Sequence, residues 1–171
     1  LYTLTPDFND RGARGSAMVL LSVSVAYVCD VLLGLRPTND ATIALLRAQW
    51  LGVALVPAAL VHLSDALLDT TGLPSRGRRR RTLRIMYFIS MAFILLANFS
   101  DTLVAPIISG GRPALRATLP TIAVFIAYMI VAAAFALINV ERARQRCLTR
   151  STRRRMGYLA IALLTPILGV F

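Results

Sequence analysis

The stretch ATIALLRAQWLGVALVPAALVHLSDALL, Ala41–Leu68, decides the class of fold. Its charged residues are Arg47 near one end and Asp65 near the other, with apolar and small residues between. A bilayer's hydrocarbon core of roughly 30 Å needs about 20 such residues wound as a helix. Strands of a membrane barrel would instead alternate polar and apolar residues over runs of about 10. The stretch therefore predicts a membrane-spanning helix.

Working outward, the same reading gives helices over 17–35, 83–108 and 118–140, and a last apolar run over 155–171. That last run extends roughly 25 Å at 1.5 Å per residue, slightly short of a crossing. The expected fold class is all-α, an integral membrane helical bundle with about five transmembrane helices. The short connections leave no room for an extramembrane domain, so residues 1–171 read as one membrane module. Leu1 is not a start methionine and the chain is still apolar at Phe171, so both ends read as cuts in a longer protein.

Composition agrees. Of the 171 residues, 57% are hydrophobic and 16% charged, and the mean hydropathy is +0.67. A soluble domain carries about a quarter charged residues. The first run is long for a signal peptide, and no small-residue cleavage site follows it.

All 19 basic residues are arginine, and the net charge is +11. A nucleic-acid-binding chain would need a water-soluble basic face. Here the arginines sit between apolar runs, so nucleic acid is not an expected partner and the lipid bilayer is. Connections 69–82 and 141–154 hold Arg76, Arg78, Arg79, Arg80, Arg81 and Arg142, Arg144, Arg146, Arg150, Arg153, Arg154; Arg84 and Arg155 follow just inside the next runs. The alternate connections hold only Arg36, and Arg112 with Arg116. Arginine-rich short loops stay cytoplasmic. Segment 1–16, with Arg11 and Arg14, and connections 69–82 and 141–154 are then inside a multi-pass plasma membrane protein. Arg78, Arg79, Arg80, Arg81, Arg153, Arg154 and Arg155 are read as topology-setting.

Ionisable groups within spans are expensive and mark a site or a pair. Asp30, Arg47, Gln49, Asn98 and Asp101, with Ser100, fall at similar depth near the outer ends of three runs. They form a candidate polar layer. Arg47 is expected to pair with Asp30 or Asp101, and the layer is where a small ligand would bind. Pro57 removes a backbone hydrogen bond in mid-helix, which predicts a kink, and is the candidate hinge. His62, Asp65 and Asp69 share a helix face, but a single histidine does not complete a metal site. Cys29 and Cys147 lie on opposite sides of the bilayer midplane and cannot be bridged. No phosphate-binding glycine loop, nucleophile triad or catalytic carboxylate pair is present. These residues are read as non-enzymatic, with no cofactor and no metal.

The segment from Arg47 to His62, with Trp50, Gly52, Pro57 and His62, resembles the N-terminal seven-transmembrane sensor region of bacterial histidine kinases. There the third helix carries an aromatic-plus-glycine step, a proline, and an apolar run ending in aromatic or histidine residues. Arg153-Arg154-Arg155-Met156 ahead of an apolar span matches the basic residues before that family's sixth helix. Tyr27 stands where the second helix typically has tryptophan. The resemblance implies that the five runs are helices two to six of seven. It implies a membrane-embedded input domain of a two-component system, with a kinase or cyclase part beyond residue 171, and homodimeric assembly. The competing readings are a small-solute or proton-coupled transporter and a structural membrane subunit.

Overall fold

The computed structural model describes residues 11–35, 37–73, 77–109, 112–147 and 150–168. Its elements in chain order are α1 (Arg11–Gly34), α2 (Asn39–Thr70), α3 (Arg78–Phe99), β1 (Val104–Ser109), β2 (Arg112–Ala117), α4 (Thr121–Arg146) and α5 (Arg150–Leu168).

The Ala41–Leu68 stretch forms the centre. α2 packs against α1, α3, α4 and β2, while α5 packs against α4. Two thirds of the most apolar part of α2 is buried (67%), against 11% for α1 and 28% each for α3 and α4. Its buried face is lined by small residues: Gly52, Ala54, Ala58, Ala59, Ser64 and Ala66. Small residues let helix backbones approach closely, the kind of packing that holds helices together where no hydrophobic drive acts between them, as in lipid. α4 offers a complementary stripe of Phe125, Tyr128, Met129, Ala132, Ala136, Val140 and Ala143, spaced at helical intervals. α2 runs unbroken through Pro57.

α1 and α2 are antiparallel and touch through glycines. A Cβ on Gly52 would lie 2.3 Å from the Ser22 carbonyl oxygen, and one on Gly15 would lie 2.9 Å from the Leu63 Cα. The backbones therefore meet directly at two levels. Gly15 was expected outside the first span, but α1 begins at Arg11 and carries it into the helix. The other helices also extend past the apolar counts: α3 begins at Arg78 and α4 ends at Arg146. Apolarity measures the part suited to hydrocarbon, whereas arginine continues a helix readily beyond it.

One expected boundary is corrected. The third run was read as helical to residue 108, yet α3 stops at Phe99 and Ser100 turns extended, with φ −145° and ψ 157°. Val104–Ser109 and Arg112–Ala117 then pair as an antiparallel hairpin, from Val104 opposite Ala117 to Ser109 opposite Arg112. Pro106 supplies the reason: inside a helix it would lose a hydrogen bond and clash with the preceding turn, at about 3 kcal/mol. In a two-stranded ribbon each strand has a free edge, where proline is tolerated. The connection is thus a small β cap on an otherwise helical chain. Leu103 and Val104 at its base are buried in the main core, against which Trp50 and Leu115 pack.

That core is aromatic. Phe125 meets Trp50 and Phe93 edge-on, with ring centroids 5.3 and 5.0 Å apart, and Phe93 stacks on Tyr128 at 5.7 Å. The Tyr128 hydroxyl donates to the Met86 carbonyl at 2.8 Å and lies 2.9 Å from Ser90 Oγ, tying α4 to α3. Tyr128→Phe leaves two buried polar groups short of a partner, an expected cost of about 1–2 kcal/mol. A thermal unfolding curve in detergent checks this; a midpoint equal to that of the parent protein would remove the bond from the account.

Candidate functional site

The two ends of the bundle differ chemically. The hairpin end holds the starts of α2 and α4 and the ends of α1 and α3. The arginine end holds the opposite termini.

At the hairpin end, Arg47 sits on α2 eight residues after its start. Its Nη2 donates to Asp101 Oδ1 at 2.6 Å and its Nη1 to the Asn98 backbone carbonyl at 2.8 Å. Of the two acids expected to compete for the guanidinium, Asp101 takes it. The Asn98 side chain turns the other way and donates to the Ile94 carbonyl at 3.0 Å. Asp101 lies in the turn between α3 and β1, so this pair ties α2 to the foot of the hairpin. Its carboxylate is 62% exposed and the Arg47 side chain 24%. Arg47 Nε is buried and makes no hydrogen bond among the described residues.

Asp30 is bound elsewhere. Its Oδ1 accepts from Gln49 Nε2 at 2.8 Å, joining α1 to α2. Positions 47 and 49 are separated by about 200° around a helix of 3.6 residues per turn. They therefore point to opposite faces of α2. The expected polar layer exists as two separate contacts at one level, not as one cluster.

If α2 spans a bilayer, its length makes the depth of Arg47 shallower than the sequence count suggested. α2 has 32 residues, about 48 Å of helix. Centred on roughly 30 Å of hydrocarbon, it leaves about 9 Å projecting at each end. Arg47 is then about 12 Å from the helix start, close to the hydrocarbon boundary.

The arginine end holds the feature that sequence reasoning did not single out. Arg79 Nε donates to Asp65 Oδ1 at 2.7 Å, Nη2 to the Asp65 backbone carbonyl at 3.1 Å and Nη1 to the Leu73 carbonyl at 2.8 Å. Asp65 is only 6% exposed. One guanidinium thus binds the last turns of α2, the loop after it and the first turn of α3. Of the arginines read as topology-setting, Arg78, Arg80, Arg81, Arg153 and Arg154 are exposed. The Arg155 side chain lies outside the described residues. His62 Nδ1 and the Tyr87 hydroxyl share a hydrogen bond of 2.9 Å between α2 and α3. Asn139 Nδ2 donates to Ser64 Oγ at 3.2 Å between α4 and α2. The face of His62 and Asp65 is therefore used for helix pairing. Among the described residues no group of three His, Cys, Asp or Glu side chains converges on a metal position. A cavity of about 370 Å³, lined by Leu73, Arg142, Gln145 and Arg146, opens at the same end.

Fold and site together define a mostly helical chain in which, among the described residues, four helices, α1 to α4, are long and apolar enough to cross a membrane. Comparison with protein-family models, curated proteins and solved structures finds no match to the chain.

Proposed function

We propose that the chain is the membrane-embedded input domain of a signal-transduction protein, of the seven-helix sensor type, with its output domain following residue 171. In this reading the arginine end faces the cytoplasm, the hairpin end faces outward, and α5 begins a fifth crossing in the plasma membrane. The observation that carries it is the placement of two ties on one helix. Arg47 joins α2 to the hairpin foot near one surface, and Asp65 joins α2 to the start of α3 near the other. A ligand or membrane change that favours one packing at the hairpin end biases the helix pair that ends among the cytoplasmic arginines. Such coupling requires different affinities for two packings. Pro57 lies between the two ties and is the proposed hinge.

The coding sequence beyond Phe171 tests the proposal directly. One further span leading into a histidine-bearing dimerisation helix and an ATP-binding domain is expected. A cyclase in their place keeps the input role and changes the output. A stop codon, or several more spans with no soluble domain, overturns it in favour of transport or scaffolding.

The transport reading has its own test. Proteoliposomes holding the full-length protein are expected to carry no solute-coupled proton flux. Flux that is present and lost in both Asp30→Asn and Asp101→Asn would make the protein a transporter.

A further inference from the structure

At the arginine end, two guanidinium groups flank one surface opening. The cavity of about 370 Å³ is walled by Arg142, Gln145 and Arg146 from the last turns of α4 and by Leu73 from the loop after α2. Neighbouring acids are already engaged. Glu141 accepts from Arg144 at 3.1 Å and from Gln145 at 3.3 Å, and Asp65 is held by Arg79. Among the described residues Arg142 and Arg146 make no ion pair. The Arg79 contact to the Leu73 carbonyl fixes the loop that forms the opposite wall.

The ordinary reading of arginine in a last helical turn is that it offsets the partial negative charge of the helix end. That accounts for about half a charge, and Arg144 sits in the same turn. Two further full charges beside an open surface depression exceed it. Arginine forks match the oxygens of a phosphate in a bidentate way. Both arginines lie where α4 leaves its apolar stretch, at the depth where a bilayer has its headgroups.

We propose that this cavity is a binding site for the phosphate of an anionic phospholipid headgroup, held by Arg142 and Arg146 with Leu73 against the glycerol side. Among the described residues the site is formed by Leu73 and the last turns of α4. It rests on the membrane orientation and not on the signalling role. Occupancy would brace the Leu73 loop, and with it the Arg79 contact between α2 and α3.

The test is native mass spectrometry of the full-length protein in detergent, titrated with phosphatidylglycerol and, separately, with phosphatidylcholine. The variant Arg142→Gln with Arg146→Gln is compared with Arg153→Gln plus Arg154→Gln, which removes the same charge from exposed positions of α5. The expected result is saturable phosphatidylglycerol binding, weakened roughly tenfold or more in the first variant and less than about threefold in the second. Arg142→Lys with Arg146→Lys is expected to fall between, since charge is kept and the fork is lost. Equal weakening in both glutamine variants means general surface attraction and overturns the site. Inorganic phosphate that binds lipid-free protein, displaces phosphatidylglycerol at equal concentration and is lost in the first variant would identify a free phosphate as the ligand and overturn the lipid assignment. Both arginines are exposed, so circular dichroism of the variants is expected to match the parent protein.

Discussion

Gly52→Leu is expected to abolish the α1–α2 pairing, and Gly52→Ala to weaken it strongly. A Cβ at this position would lie 2.3 Å from the Ser22 carbonyl oxygen, 3.0 Å from the Ala26 nitrogen and 3.3 Å from the Ala26 Cβ. The closest two atoms are backbone, so no side-chain rotation relieves the contact. Alanine would add helix propensity of about 1 kcal/mol. Overpacking costs about 1–3 kcal/mol, and more when backbone must move. The clash therefore wins, with a net loss of about 2 kcal/mol for alanine. On the scale of soluble proteins this size, that is roughly 4–8 °C in midpoint. Leucine extends well past the interface and should leave α1 undocked. Gly34→Ala is the control, because nothing lies within 4 Å of a Cβ there. The measurements are yield of monodisperse protein from membranes and thermal unfolding in detergent. A Gly52→Leu protein that elutes and melts like the parent would remove the close crossing from the fold.

That crossing illustrates where sequence reading ran out. Gly52 and Gly15 lie at or near long apolar runs, where a missing side chain looks like one more tolerable residue. Their role depends on which residues of a distant helix they face, and that register is not local. The same limit left Arg47 between two acids. Asp30 and Asp101 had similar apparent depth, and only the packing of α2 between α1 and α3 gives Asp101 to Arg47 and Asp30 to Gln49. The long apolar helices α1 to α4 were legible because apolar length is a local property, long enough in each case to dominate.

The hairpin was legible in principle but was hidden by the same counting. Val104, Ile107 and Ile108 raise hydropathy as well as any helical residue, so the run was carried to residue 108. Pro106 was the contrary signal, since within a helix it loses a hydrogen bond and clashes with the preceding turn. A proline there is compatible with an edge strand and not with a helix interior, and it outweighs apolar content in such a connection. With α3 ended at Phe99, Asp101 moves from a helix interior into an exposed turn. That shift changes it from a costly buried acid to an accessible anchor for Arg47.

Loss of Arg79 is expected to destabilise the bundle far more than loss of any other arginine in the Arg78–Arg81 run. If these residues acted only as topology signals, Arg79→Ala and Arg80→Ala would have equal effects, since each removes one charge from the same loop. The geometry separates them. Four consecutive helix positions spread about 100° apart, so they cannot share one inward direction, and Arg79 takes it. Its guanidinium meets Asp65 Oδ1, the Asp65 carbonyl and the Leu73 carbonyl. Removing one partner of a buried pair costs about 3–5 kcal/mol, because the other charge stays buried without compensation. Arg79 keeps a quarter of its side chain exposed, so the low end, about 3 kcal/mol, is expected for Arg79→Ala and for Asp65→Ala. Arg80→Ala is expected to change stability by less than about 0.5 kcal/mol. Arg79→Lys should rescue only in part, since a single ammonium lacks the planar fork that reaches three acceptors. The double variant Asp65→Leu with Arg79→Leu should be milder than either alanine variant, the signature of a pair whose separate charges are costly. Thermal unfolding of the five variants in one detergent decides the matter. Equal midpoints for Arg79→Ala and Arg80→Ala would reduce Arg79 to a topology residue and remove its ion pair from what holds α2 to α3.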